Sequence, residues 1–447
     1  MTSNTSSKRW AQNVCFILIA IMNLSAWIDL QGLFVEIPLI VPFTPERWTL
    51  PSIAAIFVCA ANIIPIIVVV LRWHKGNRFS EIPYIYLIII VGVVACFVLA
   101  LFWNKTVFIF GSQRSLWLLL SIFVLSMLDC TSSLVFFDYM KRFRARYLNA
   151  AFLGEALTSV IPTMLILLQG VAGETICIPT NNGTTFEPHY TEPRFSVRMF
   201  MFCIGGIIVS SLIAFVLLRW TNIIELADAA EQVENLSDDI RDKRLTLHAI
   251  CEENIPMVEQ IISQAPAKST SSMSRSTFIC FLTVNTINSI ISFGCLPSLS
   301  TYALLPFGQK AFYYWSVLIP LAYPISLLIS LRWKSPSNRM IALKSILNWI
   351  LSGFIFQIAM QSPCPWLADS IQGACMIISV WFIMSVISGL LRISIGNRIK
   401  REWNGDEGMF YFGGTVQLGL FLGTIPTYLL INVFGLFVDR KPCQTYC

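Results

Sequence analysis

Runs of about twenty apolar residues, the length that carries a helix across a bilayer, recur along this whole chain. Eleven can be marked, at 14–41, 50–72, 83–103, 116–138, 147–171, 196–220, 277–305, 310–332, 341–361, 370–395 and 407–437. No other feature restricts the fold as strongly. In lipid the backbone polar groups must be satisfied within the chain, and runs of this length do so as helices. Of the 447 residues 55% are hydrophobic and only 13% charged, about half the charge of a soluble domain. The expected fold class is an all-α polytopic membrane protein with eleven transmembrane helices. Pro83, Pro306 and the Ser335-Pro336-Ser337 stretch fall at run ends, as helix breakers should.

The basic residues set the orientation. With the N-terminus in the cytoplasm, about three quarters of the 31 Lys and Arg fall on the cytoplasmic side. The expected organisation is a cytoplasmic N-terminus at 1–13 and a first bundle of six helices at 14–220. A cytoplasmic linker at 221–276, acidic at first and Ser/Thr-rich at its end, leads to a second bundle of five helices at 277–437. An extracellular tail occupies 438–447, giving a 6+5 arrangement. Sequons at Asn104 and Asn182 fall outside and are the candidate glycosylation sites. The basic residues lie between apolar runs, so the partner they indicate is the lipid bilayer and not nucleic acid. No CxxC pair occurs and the three histidines lie between runs, which argues against a metal site or another cofactor.

Four carboxylates, Asp29, Glu36, Asp129 and Glu155, sit inside these runs with no basic residue near them in sequence. Each costs roughly 2.5–3.5 kcal/mol at a helix centre, so each is expected to face a polar cavity or a partner. Helical spacing sorts them. In the first run Trp27, Gln31, Phe34 and Pro38 share a face, and Asp29 and Glu36 share nearly the opposite one. Gly32 and Pro38 are expected to break that helix. Asp129 aligns with Ser132, Ser133 and Phe136, Glu155 with Thr158, Ser159 and Pro162, and Asn285 with Asn288, Ser289 and Ser292. Gly413, Gln417, Phe421 and Thr424 align in the last run, where Gly419 and Gly423 read as a close helix crossing. Asp138, beside Lys141 and Arg142, reads as a surface pair, and Glu46, in a short outer loop, as solvated or part of a gate.

Function classes narrow accordingly. The phosphate-binding GxxxxGK[ST] loop of ATP-driven pumps is missing, which excludes nucleotide hydrolysis by that route. No run holds the His of a rhomboid-like protease or the Gly-x-Gly-Asp of an intramembrane aspartyl protease. The chain therefore reads as a transporter, not an enzyme. A lining of aromatic, amide, hydroxyl and carboxylate groups suits a flat, hydrogen-bonding organic solute.

Several strings are similar to the eukaryotic riboflavin transporters. The first is Trp27-Ile-Asp-Leu-Gln-Gly-Leu-Phe-Val-Glu-Ile-Pro-Leu39, continuing to Pro45-Glu-Arg-Trp-Thr-Leu-Pro-Ser52. Others are Asn62-Ile-Ile-Pro65, Leu128-Asp-Cys-Thr-Ser-Ser133, Phe152-Leu-Gly-Glu-Ala-Leu157 and Gln169-Gly170. Later come Cys295-Leu-Pro297, Leu305-Pro-Phe-Gly308, Ser362-Pro-Cys-Pro365, the Gln417 region and Cys443 with Cys447. The chain departs from the family at Gln31, where several members have Asn, and at Asp29, where Thr is common. The resemblance implies uptake of riboflavin across the plasma membrane by alternating access, without sodium and with variable pH dependence. It also implies an equilibrative-nucleoside-transporter-like or major-facilitator-like arrangement.

Riboflavin offers a tricyclic face, one imide N–H between two carbonyls, and four ribityl hydroxyls. On this reading Trp27 and Phe136 stack on the ring. Gln31, Asn62, Asn285, Asn288 and Gln417 bond the ring edge or tail. Asp129 and Glu155, with Thr131, Ser132 and Ser133, accept or donate at the central site. Asp29, Glu36 and Glu46 are assigned to gating or proton linkage. Cys364 and Cys443, both on the oxidising side, are expected to pair, with Cys364–Cys447 the other option. A transporter for another planar vitamin or nucleoside, and a membrane receptor or scaffold without transport, stay open at this point.

Overall fold

A computed structural model describes residues 2–46, 50–109, 111–170, 193–229, 273–332, 337–403 and 407–438. It also describes residues 405 and 440 and two strands, Thr175–Pro179 and Phe186–Tyr190. Among the described residues ten helices are long and apolar enough to cross a membrane, or up to eleven if one bent pair counts as a single span. The expected all-helical membrane class holds.

The bent pair is the first run. Helix α1 (Thr2–Leu24) and α2 (Ile28–Ile40) meet at 49°. The break falls at Ser25–Trp27 and not at Gly32 or Pro38, both of which lie within α2. Side chains satisfy the backbone groups that the break frees. Asn23 Nδ2 donates to the Ile19 carbonyl at 2.8 Å and Ser25 Oγ to Met22 at 3.0 Å. Ser132 Oγ donates to the Ala26 carbonyl at 3.1 Å. Irregular backbone inside a membrane requires such partners.

The second run is also interrupted. Helix α3 (Leu50–Ala60) stops before α4 (Ile63–Lys75), where Pro65 cannot donate to the Ala61 carbonyl. Uninterrupted helices follow: α5 (Ile82–Phe102), α6 (Leu116–Tyr139), α7 (Leu148–Gln169, with Pro162 inside it) and α8 (Val197–Trp220). After residue 273 come α9 (Arg275–Ser289), a π-helical turn at Ile290–Cys295 and α10 (Leu296–Leu304). Pro297 opens α10, so the turn absorbs a hydrogen bond that proline cannot make. The chain continues through α11 (Gln309–Leu318), α12 (Ala322–Arg332), α13 (Asn338–Met360), α14 (Ile371–Glu402) and α15 (Gly408–Tyr428).

Helices before residue 221 pack chiefly on one another, α1 on α7 and α8, and α5 on α6 and α8. Those after residue 273 do likewise, with α14 against α12 and α13, and α9 against α15. The two groups meet where α15 packs on α6 and α3, and α12 on α7. Glycine permits this closeness: a β-carbon on Gly413 would lie 1.9 Å from the Ser133 carbonyl oxygen; within the second group, one on Gly294 would lie 2.5 Å from Gly423 Cα. α6 is the central element, most of its length being buried.

One end of the molecule holds a charged cluster. Arg72 bonds Asp138 at 2.5 Å and lies 4.0 Å over the Phe410 ring, and Arg142 bonds Glu81 at 2.7 Å. Asp138 is completely buried between Arg72 and Lys141. It is thus an interior ion pair and not the surface pair expected, because the end of α4 covers it. Burial pushes the Glu81 carboxyl up, but the Arg142 hydrogen bond and the charges of Arg142 and Lys141 outweigh it and hold the group below its usual range. Lys400 donates to the Lys141 carbonyl at 3.2 Å, and Asn397 to Asn149 at 3.4 Å. These contacts join the two groups of helices at this end.

Candidate functional site

Between the two groups lies a cavity of about 320 Å³, within the range of small-molecule sites. Trp27 at the break, Gln31 and Phe34 of α2, and Glu155, Thr158 and Ser159 of α7 form one wall. Asn288, Ser292, Phe293, Tyr323, Ser388 and Arg392 face them from α9, the π turn, α12 and α14. Phe312, Trp315 and Trp381 line the part toward the end away from the charged cluster. The Trp27 and Phe293 rings bridge the walls, stacked at 6.0 Å and 15°. Trp315 meets Trp381 edge-on at 5.2 Å.

The two faces of α2 separate as helical spacing requires. Trp27, Gln31 and Phe34 look into the cavity, and Asp29 and Glu36 do not line it. Glu155 does line it, but it is already partnered. Its Oε1 lies 2.6 Å from Arg392 Nη2, and its Oε2 accepts from the Tyr323 hydroxyl at 3.2 Å. Arg392 is 4% exposed, with the Phe137, Phe293 and Tyr323 rings 5.6–5.9 Å from its guanidinium carbon.

Neither Arg392 nor Tyr323 was expected. Arg392 falls at the end of the run 370–395 and counts in sequence with the cytoplasmic basic residues of 392–401. The helix in fact runs unbroken to Glu402, which draws Arg392 almost three turns into the interior. The signal available was that no proline lies between 392 and 402, where Gly396 alone does not stop the helix. Tyr323 sits in an ordinary apolar run and gave no signal.

Asn288 lines the cavity at the centre of a polar network. Its Oδ1 accepts from Asn348 at 3.2 Å and from Ser388 Oγ at 2.9 Å, and Ser388 Oγ lies 2.7 Å from Ser292 Oγ.

The remaining expected contacts lie outside the cavity lining. Asn62 donates to the Cys59 carbonyl at 3.2 Å, closing the end of α3. Asn285 donates to Thr415 at 2.7 Å and holds α9 against α15. Ser132 supports the α1–α2 break, and Phe136 and Thr131 are packed in the core. Ser133 lies beneath Gly413, and its hydroxyl returns to the Asp129 carbonyl at 3.5 Å. Gln417 is buried, and its amide has no hydrogen-bond partner among the described residues.

Asp129 is not at the cavity because α2 covers it. It lies buried near Asp29, which accepts from the Leu30 amide at 3.0 Å, and neither Asp129 carboxyl oxygen has a hydrogen-bond partner among the described residues. Glu36 accepts from Gln169 at 2.9 Å, and Gln169 also donates to the Phe195 carbonyl at 2.9 Å. Glu46 accepts from the Ser115 amide at 2.9 Å, at the start of α6. Asn104 is exposed in a turn after α5. Asn182, Cys443 and Cys447 fall outside the described residues.

Comparison with known proteins agrees with this architecture. The family model "Solute carrier family 52, riboflavin transporter" matches residues 11–439. The chain is similar to riboflavin transporter 2 of Salmo salar, at 31% identity over 96% of this chain and 98% of that one. It is also similar to the human solute carrier family 52, riboflavin transporter, member 3, at 28% identity over 96% and 98%. Among solved structures the human organic anion transporter MFSD10 aligns with a TM-score of 0.54 and 12% identity, covering 96% of this chain and 94% of that one. A mutant of the nucleoside transporter NupG aligns at 0.50 and 11%, covering 94% and 91%. At such identities these two establish a major-facilitator-type fold and nothing finer. With the family match running through nearly every helix described above, the chain belongs to the solute carrier family 52 riboflavin transporters.

Proposed function

We propose that this protein carries riboflavin into the cell across the plasma membrane by alternating access, with the cavity between its two groups of helices as the binding site. The observation that carries the reading is that cavity within a chain of this family. It combines aromatic faces at Trp27, Phe293 and Trp381 with hydroxyl and amide groups at Thr158, Ser159, Ser292, Asn288 and Gln31. Aromatic rings suit the tricyclic face, and the hydroxyl row suits a ribityl tail.

The charged cluster marks the cytoplasmic end, following the bias of Lys and Arg, with the N-terminus on that side and the C-terminus outside. Arg72 over Phe410 and Lys400 on Lys141 then form the closed inner gate, and the cavity faces outward. Release inward needs these contacts to part while the outer walls approach. They are polar and near an end of the molecule, so water can replace them at modest cost.

The Asp29–Asp129 pair, Glu36 and Glu46 are assigned to proton linkage or gating, not to substrate contact. Glycosylation at Asn104 and Asn182 and a Cys364–Cys443 bridge belong to the same orientation. Val438 accepts from Ser362 Oγ at 2.6 Å and Arg440 bonds Asp369 at 2.7 Å, which brings the approach to the tail beside the Cys364 loop.

Uptake of radiolabelled riboflavin by cells expressing the chain tests the proposal, with lumiflavin and nucleosides as competitors. Saturable uptake competed by lumiflavin and not by uridine is expected. No uptake at normal surface expression, or better competition by nucleosides, overturns it.

A further inference from the structure

Hydrogen-bonding pattern distinguishes the two ends of a flavin. Its imide edge presents acceptor, donor, acceptor in a line: carbonyl, N–H, carbonyl. The ribityl tail presents hydroxyls, each both donor and acceptor. One set of cavity side chains complements a carbonyl and the N–H of the imide. We propose that Arg392 and Glu155 form a donor–acceptor pair that reads the imide edge of the substrate, with Arg392 Nε donating to a ring carbonyl and Glu155 receiving the ring N–H, while the Tyr323 hydroxyl holds the other Glu155 oxygen. The inference rests on riboflavin being the substrate and assigns which groups select it.

Order and surroundings carry the assignment. Glu155 is the central member, with Arg392 at 2.6 Å on one oxygen and the Tyr323 hydroxyl at 3.2 Å on the other. All three line the cavity. Arg392 Nε is buried with no hydrogen-bond partner among the described residues, so donor capacity is left over. A buried unsatisfied donor is costly, and a ligand carbonyl relieves that cost. The rings of Phe137, Phe293 and Tyr323 around the guanidinium give a flat apolar surround that suits a fused ring system better than a flexible polyol. The Ser292–Ser388–Asn288 network, one turn before Arg392 on α14, offers hydroxyl-compatible groups for the other end. A carboxylate accepting from a neutral N–H makes a charge-assisted bond and needs no charge on the substrate.

The test compares riboflavin with N3-methylriboflavin, in which the imide proton is replaced, on the unmodified protein. Loss of a hydrogen bond to a charged group predicts that the methyl analogue competes about tenfold more weakly or worse. In Glu155→Gln the acceptor is a neutral amide, so the ratio between the two ligands is expected to fall toward one. Because the readout is a ratio, it survives lowered expression of the variant. Equal competition by the two ligands in the unmodified protein overturns the assignment and leaves riboflavin transport standing. An unchanged ratio in Glu155→Gln also overturns it, since the methyl group is then rejected elsewhere. If riboflavin itself is not taken up at normal surface expression, the proposed function falls and this inference with it.

Discussion

Glu155 and Asp129 start as equals: each is a carboxylate midway along an apolar helix with a hydroxyl three residues on. Glu155 meets a guanidinium and a phenol at the cavity wall, so its charge is balanced before any substrate arrives. Asp129 is completely buried outside the cavity lining, with the Asp29 carboxyl as its charged neighbour. Two carboxylates are both acceptors and offer each other no donor. The first site can keep a fixed charge and recognise a neutral solute. At the second, neither Asp129 carboxyl oxygen has a hydrogen-bond partner among the described residues. A buried acid therefore says little about its task until its neighbour is known.

Removing the partner at the first site should have the largest effect. Arg392→Ala leaves Glu155 buried and uncompensated, a loss of about 3–5 kcal/mol. Thermal unfolding of the detergent-purified protein should show a strongly lowered transition. Melting within a few degrees of the parent would mean the pair does not hold α14 to α7. Trp27→Ala should weaken riboflavin by up to about tenfold through the lost ring face, without a comparable fall in stability. Its contrast with Arg392→Ala separates recognition from scaffold.

Ser132→Ala removes the donor to the Ala26 carbonyl at the break that aims Trp27 inward and Asp29 outward. About 1 kcal/mol of stability is the expected cost. A larger fall in riboflavin affinity than in stability would show that the break positions the ligand face. The mildest effect on stability is expected at the second site. Asp29→Asn or Asp129→Asn supplies an amide donor to the neighbouring carboxyl, so each should fold within about 1 kcal/mol of the parent. If the pair takes part in the proposed proton linkage, riboflavin uptake by the parent should vary between about pH 5 and 8 and each Asn variant should flatten that profile. Identical profiles in parent and variants would make the pair purely structural and erase the contrast with Glu155.

Much of this was legible before any coordinates. The helical runs, their breakers and the opposed faces of α2 follow from periods of 3.6 and from proline, both local properties. The family followed from strings distributed over the spans. The partners did not. Asp129, Ser132 and Ser133 lie on the expected stripe, but that stripe faces the α1–α2 break, and nothing in α6 alone specifies what packs on it. Asn62 and Asn285 read as ligand groups and serve helix ends and crossings instead.

The sequence by itself determined that this is a helical membrane protein of the riboflavin transporter family, because hydrophobic length and periodicity act within single segments. Only the tertiary structure decided that Glu155 is paired through Arg392, far along the chain, and that Asp129 is closed off by Asp29. Both are contacts between distant segments, fixed by how α2, α6, α7 and α14 pack, and the charge of a buried group takes its meaning from that packing.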